Sequence, residues 1–159
     1  MRHFWAFFTC NYILYVPLLA WFAAQVCKTI INFILSGKFD LERMFGAGGM
    51  PSAHSALVCS LTIATARKYG IASPFFAFGF ILAAIVMYDA MGVRRAAGEQ
   101  AKVLNKLVDD WMSDEAEEDA ANPLRANGKR LKEKVGHTPF EVLSGALLGI
   151  LLAMIFPVT

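Results

Sequence analysis

The sequence predicts an all-α integral membrane protein, a compact bundle of about four transmembrane helices with amphipathic cytoplasmic helices attached. Three observations lead there. Hydrophobic residues fill 57% of the 159 positions, 13 of them Phe, while charged residues reach only 18%, below the roughly 25% usual for soluble domains. The apolar residues gather into runs of helical length rather than alternating as strands do. Polar residues inside the longest run keep to one helical face, as they must if the rest meets lipid.

The length suits a single membrane domain, residues 1–159. A formal charge of +2, with basic and acidic residues interleaved rather than striped, argues against nucleic acid as a partner. Cys10, Cys27 and Cys59 have apolar neighbours and no metal-ligand spacing, and read as small packing residues with no disulfide framework. The N-terminal apolar stretch outruns a signal-peptide core and has no clear cleavage site before Lys28, so it is expected to be retained as a membrane segment.

The first helix is predicted over Ile13 to Leu35, long enough to cross a hydrocarbon core of about 30 Å. Gln25, Lys28 and Asn32, at i, i+3 and i+7, define a face that should look into the protein. Phe4, Trp5, Phe7, Phe8, Tyr12 and Tyr15 ahead of it resemble an interfacial aromatic belt. A loop from Ser36 to Gly49 ends in Gly46-Ala47-Gly48-Gly49, and Pro51-Ser52 marks the start of a second helix running to about Lys68. That helix is short for a full span, so its first turn is expected below the membrane surface, where the preceding loop lines a polar cavity. Ser73-Pro74 opens a third helix, apolar from Phe75 to Met87 and interrupted by Asp89, an acid that needs a structural partner at that depth.

From Gly92 to about Met112 the pattern turns amphipathic, with Val93, Ala97, Ala101, Leu104 and Val108 on one side, as expected of a helix leaving the membrane. Residues 113–128 read as a mobile acidic loop within the domain. Gly136-His137-Thr138-Pro139 leads into a fourth membrane helix from Phe140 to Val158. There Gly145 and Gly149 form a small-xxx-small face for close helix packing, and also a candidate seam for a homo-oligomer.

Two of the three histidines, His54 and His137, follow glycine-containing turns that open membrane helices. Helix N-termini present unpaired N–H groups and a positive dipole end, so two of them around one cavity suit an anion such as phosphate. A histidine there can serve as nucleophile or general acid. Glu141, four residues beyond His137 and on the same face, is placed to hold its imidazole in the reactive tautomer. The bland alternative, that each histidine only hydrogen-bonds at a helix start, weakens when the pair, Glu141 and nearby cations are taken together. Those cations are Lys28, Lys38, Arg43, Arg94 and Arg95, arginine binding phosphate as a fork and lysine as a point charge. Lys28 has a second open role as the partner of Asp89.

These motifs resemble a known family. Pro51-Ser52-Ala53-His54-Ser55 is similar to the Pro-Ser-Gly-His signature of the type 2 phosphatidic acid phosphatase superfamily, which includes the vanadium haloperoxidase relatives, and His137 to Gly149 is similar to its His-x3-Asp signature. With Asp89-Ala90-Met91-Gly92-Val93-Arg94-Arg95, the pattern from about Gln25 to Ile150 resembles the divergent, YuiD-like branch. The resemblance implies that His137 attacks phosphorus, that Glu141 stands where aspartate is usual, that His54 protonates the leaving alcohol, and that Ser52 with nearby amides holds phosphoryl oxygens. Three departures accompany it. The arginines lie some forty residues before His137 rather than a few. The Lys-x6-Arg-Pro signature has no literal copy, leaving Lys28, Lys38 and Arg43 as substitutes. The change from aspartate to glutamate lengthens the orienting arm.

The function expected is hydrolysis of a lipid phosphomonoester or pyrophosphate through a phosphohistidine, with no cofactor and no metal, the partners being a lipid phosphate substrate and membrane lipids. The alternative is non-enzymatic binding or transport of a phosphorylated lipid. Sidedness follows from the flanking cations. Lys38, Arg43, Arg94, Arg95, Lys102, Lys106, Arg125, Lys129, Arg130, Lys132 and Lys134 follow the first and third helices, against Arg2, Arg67 and Lys68 opposite, so a multi-pass protein of the cell membrane with its site facing the cytoplasm is expected.

Overall fold

A computed structural model describes residues 11–37, 49–114, 130–131, 133 and 136–158. Among the described residues five α-helices form: α1 (Tyr12–Ser36), α2 (Ala53–Tyr69), α3 (Pro74–Met91), α4 (Val93–Asp114) and α5 (Pro139–Ile155). Among the described residues there is no strand. The expected helices all form, with α4 a turn longer than its pattern predicted at most.

Local chemistry sets the starts. The hydroxyls of Ser52, Ser73 and Thr138 accept from the backbone N–H of Ser55, Phe76 and Glu141, capping α2, α3 and α5. Pro74 and Pro139 occupy first-turn positions, where a missing N–H costs nothing. Pro51 instead precedes its cap, Ser52.

The least apolar of the four packed helices, α2, lies at the centre, contacting α1, α3 and α5. Its buried residues are mainly small or hydroxylic, including Ser60, Thr62 and Thr65. Their hydroxyls donate to carbonyls three or four residues back at 2.8–3.0 Å, so they are buried without an unpaired donor. Small side chains let neighbours approach closely. A Cβ on Gly145 would collide with the carbonyl of Ser52, and one on Gly149 with that of Ala56. The two glycines therefore serve α2–α5 packing inside the chain. The face that the sequence offered as a seam between copies is thus met by α2 of the same chain.

On α1, Gln25 and Lys28 are buried and Asn32 is half-buried, so the polar face looks inward as its spacing predicts. Phe22, Ile30 and Phe33 point out. On α3, Phe78, Ile81 and Ile85 are exposed, and on α5, Leu143, Leu147 and Leu151. An apolar belt of this extent is suited to lipid rather than water. Two stretches, Tyr12–Leu35 and Pro74–Asp110, are long and apolar enough to cross a membrane, whereas α5 is apolar but shorter. By length and composition, two of the four expected crossings are candidate spans. Residues 115–129, which hold most of the acidic loop, lie outside the described residues.

Candidate active site

The site begins at the break between α3 and α4. Gly92 interrupts the helix, and the Ala90 carbonyl accepts instead from the His137 backbone N–H, at 3.0 Å. Gly136 makes this approach possible. Its φ of +86° favours glycine, and a Cβ there would overlap the backbone of Arg94 and Arg95. Further along α4, the buried Asn105 holds the returning chain. Its Oδ1 accepts from the Leu131 N–H at 3.0 Å, and its Nδ2 donates to the Leu131 carbonyl and to Glu133 at 2.9 Å each. Arg130 pairs with Asp109 beside it, at 2.9 Å. Sequence separation between Arg94 and His137 is bridged in this way.

His137 is only 5% exposed. Its Nδ1 lies 3.1 Å from Oε2 of Glu141. The same oxygen accepts from the Thr138 N–H at 3.0 Å, and the Thr138 hydroxyl accepts from the Glu141 N–H at 3.3 Å, a reciprocal capping box. With Glu141 ionised, the carboxylate can only accept, so Nδ1 carries the proton and Nε2 keeps its lone pair. The Glu141 carbonyl accepts from the Ser52 N–H at 2.9 Å, joining the starts of α2 and α5.

A cavity of about 200 Å³ opens here, lined by His54, Ile85, Val86, Asp89, Ala90, Arg94, Gly136 and His137. His54 comes from the exposed side of the first turn of α2. Arg94 bonds Asp89 through Nε at 2.6 Å, which leaves its two Nη groups outside that pair. The cavity therefore brings together two imidazoles, one backed by a carboxylate, with a guanidinium and an acid.

Four expected residues, His54, His137, Arg94 and Asp89, thus line one cavity, with Glu141 directly behind. Others do not. Arg95 is exposed and meets this region through its backbone. Ser52 is fully buried, its Oγ accepting from the Ser55 N–H at 3.4 Å and the Ser55 hydroxyl at 3.0 Å, so it caps α2 away from the cavity. Asp89 takes Arg94 as its partner, not Lys28. Lys28 is buried, its side chain packed beside Gly49 and close enough to Glu141 and His54 to interact electrostatically with both. Lys38 and Arg43 lie outside the described residues. Sequence reasoning missed Asn105, which in the sequence is one polar residue on a helix that carries several, and the steric role of Gly136, signalled only by its place before a histidine.

Over 147 residues the chain is 46% identical to a protein of Bacillus subtilis (strain 168) described as the uncharacterized membrane protein YuiD, covering 91% of this chain and 93% of that one. No solved structure matches. The model of the Divergent PAP2 family matches residues 9–152, and over that span lie both histidines, Glu141 and the arginine pair: the chain belongs to the Divergent PAP2 family.

Proposed function

We propose that this protein is a membrane phosphatase that hydrolyses a lipid phosphomonoester or pyrophosphate through a phosphohistidine on His137, without a required metal. The observation that carries the reading is the 3.1 Å contact of His137 Nδ1 with Glu141, made at the wall of a cavity that His54 and Arg94 share. Family membership supports it at the coarser level of a phosphatase relation.

In the first step Nε2 of His137 attacks phosphorus and the bond from phosphorus to the leaving oxygen breaks. His54, entering as the imidazolium, gives that oxygen its proton. Glu141 stabilises the positive charge that develops on the His137 ring. Arg94 holds the phosphoryl oxygens with its Nη groups while Asp89 fixes Nε, so the guanidinium is positioned before substrate arrives. In the second step the now neutral His54 takes a proton from water, the water oxygen attacks the phosphohistidine, and inorganic phosphate leaves with His137 restored. Lys28, buried behind the site, adds a positive charge. Four helices, α1, α2, α3 and α5, cross the bilayer in this reading, α2 being shielded from lipid by the other three, and the cavity opens to the cytoplasm.

Phosphate release from a panel of lipid phosphates in EDTA is the test. The reading expects turnover, inhibition by vanadate, and an acid-labile phosphoryl label on wild-type protein that His137→Ala removes. A strict magnesium requirement, or wild-type rates in both His137→Ala and His54→Ala, would overturn it, the latter in favour of binding or transport.

A further inference from the structure

Among the described residues, the exposed apolar face that lies outside the bundle is on α4. Val93, Leu104, Leu107 and Val108 are 65%, 50%, 59% and 49% exposed, and at 100° per residue they fall with Ala97 on one side of the helix. The side that packs is a different one. Gly98, Ala101 and Asn105 are buried there, Asn105 holding Leu131 and Glu133. Arg95, Lys102 and Lys106 are exposed away from both. Among the described helices α4 contacts α3 alone, so nothing in the bundle covers its apolar face.

We infer that this face of α4 is seated in the headgroup boundary of the same bilayer that α3 crosses, on the leaflet where the cavity opens. Continuity identifies the occupant. The 18 residues of α3, at 1.5 Å each, rise about 27 Å and so nearly exhaust a hydrocarbon core of about 30 Å. One residue, Gly92, separates the end of α3, whose last turn carries the exposed Tyr88, from Val93. The chain therefore reaches the membrane surface where α4 begins. Arg94, Arg95, Glu99, Lys102 and Lys106 bar α4 from the core, while its apolar side bars it from standing free in water, and a helix with both properties lies in the interface. A second copy of the chain fits less well. The four large side chains expose roughly 400 Å², about half of the roughly 800 Å² per partner in a standard protein interface. Because Arg94, in the first turn of α4, lines the cavity, an interfacial α4 holds the cavity at headgroup depth.

Depth measurement tests this without reference to catalysis. Single cysteines, Leu104→Cys, Val108→Cys and Lys102→Cys, are introduced into a cysteine-free chain, labelled with an environment-sensitive fluorophore and reconstituted in phosphatidylcholine and phosphatidylglycerol vesicles. At positions 104 and 108, quenching by lipids doxyl-labelled near the headgroup should exceed that at 102 by several-fold, and aqueous iodide should show the reverse order. Equal iodide quenching at all three positions overturns the inference, as does disulfide pairing of Leu104→Cys between copies that persists on dilution with lipid. A wild-type measurement guards against a misfolded variant: a photoreactive group near the lipid headgroup should label peptides from both α3 and residues 103–108. Labelling of α3 peptides alone overturns the assignment, whether or not the protein proves to be a phosphatase.

Discussion

Two arginines, Arg67 at one end of the bundle and Arg94 at the other, have different surroundings. Arg67, near the end of α2, donates to the Tyr12 hydroxyl at 2.9 Å, to the Phe156 carbonyl at 2.7 Å and to the Ala153 carbonyl. Tyr12, fully buried, in turn donates to the Ala153 carbonyl at 3.0 Å. The last carbonyls of α5, which the helix leaves unpaired, are thereby satisfied by a cation and a phenol from two other helices. Arg94 has one bond, to Asp89, and a side chain that remains 49% exposed. Arg67 puts one Nη group on a phenol and two carbonyls of other helices and so acts as a latch, whereas Arg94, tied only to Asp89 through Nε, keeps both Nη groups beside a cavity and is equipped for an anion. Charge at a helix end therefore says little by itself; what the fold leaves unsatisfied says more.

The comparison predicts that variants at the cavity end lose turnover while keeping stability, and that variants at the latch end do the reverse. His137→Ala gives the largest loss, removing the nucleophile and leaving only background hydrolysis. Glu141→Gln is more informative. Glutamine also completes a capping box, so the melting temperature should stay near wild type, while loss of the orienting charge should lower kcat by about 10²- to 10⁴-fold, as removal of the carboxylate behind a catalytic histidine does elsewhere. A large fall in melting temperature with kcat intact would reverse the roles assigned to the two ends.

Backbone sterics gives the next effect. Gly136→Ala places a Cβ against the Arg94–Arg95 backbone at a positive φ, a combination that costs about 1–3 kcal/mol in strain and pushes His137 away from the Ala90 carbonyl. Both kcat and thermal stability should fall. At the latch, Arg67→Ala strips donors from the end of α5 and should lower stability by about 1–3 kcal/mol, read as a reduced melting temperature in detergent. The rate per folded molecule should remain near wild type. A matching loss of rate would show that the two ends are coupled through α2.

Much of this arrangement was legible in the sequence. Helix order followed from apolar runs and Ser/Thr caps, and the inward face of α1 from the spacing of Gln25, Lys28 and Asn32. The pairing of His137 with Glu141 was expected from a helical spacing of four; it forms, although His137 precedes the Thr138 cap and the capping turn brings the two together. What periodicity cannot see is contact between distant segments. Whether Gly145 and Gly149 meet another copy or another helix depends on which neighbour arrives, and α2 arrives first. Ser52 carries the same serine whether it caps a helix or binds phosphate, and its complete burial decides for the cap. Arg67 looked like one of the few cations flanking the membrane opposite the site, since nothing local announces that Tyr12 and the end of α5 converge on it.

Arg95 supplies the smallest predicted effect and the finest test of the comparison. It adjoins Arg94 in sequence, and as a residue type it is equally able to bind phosphate. The helix separates them: adjacent side chains diverge by about 100°, so with Arg94 lining the cavity and bonded to Asp89, Arg95 is turned away and exposed. Only its backbone meets the site, against Gly136, and alanine retains that backbone. Arg95→Ala should therefore change kcat/KM by less than about threefold, within the roughly 0.5 kcal/mol typical of surface substitutions. Arg94→Ala should cost on the order of 10²- to 10³-fold, the range for loss of a preorganised donor to a developing charge. Asp89→Asn serves as the intermediate case, keeping a polar neighbour for Nε while removing the charge that steadies it. Measured side by side on one lipid phosphate, the variants should rank Arg94→Ala, then Asp89→Asn, then Arg95→Ala. Equal losses at Arg94 and Arg95 would mean that both guanidinium groups reach the phosphate, and that the cavity rearranges when it is filled.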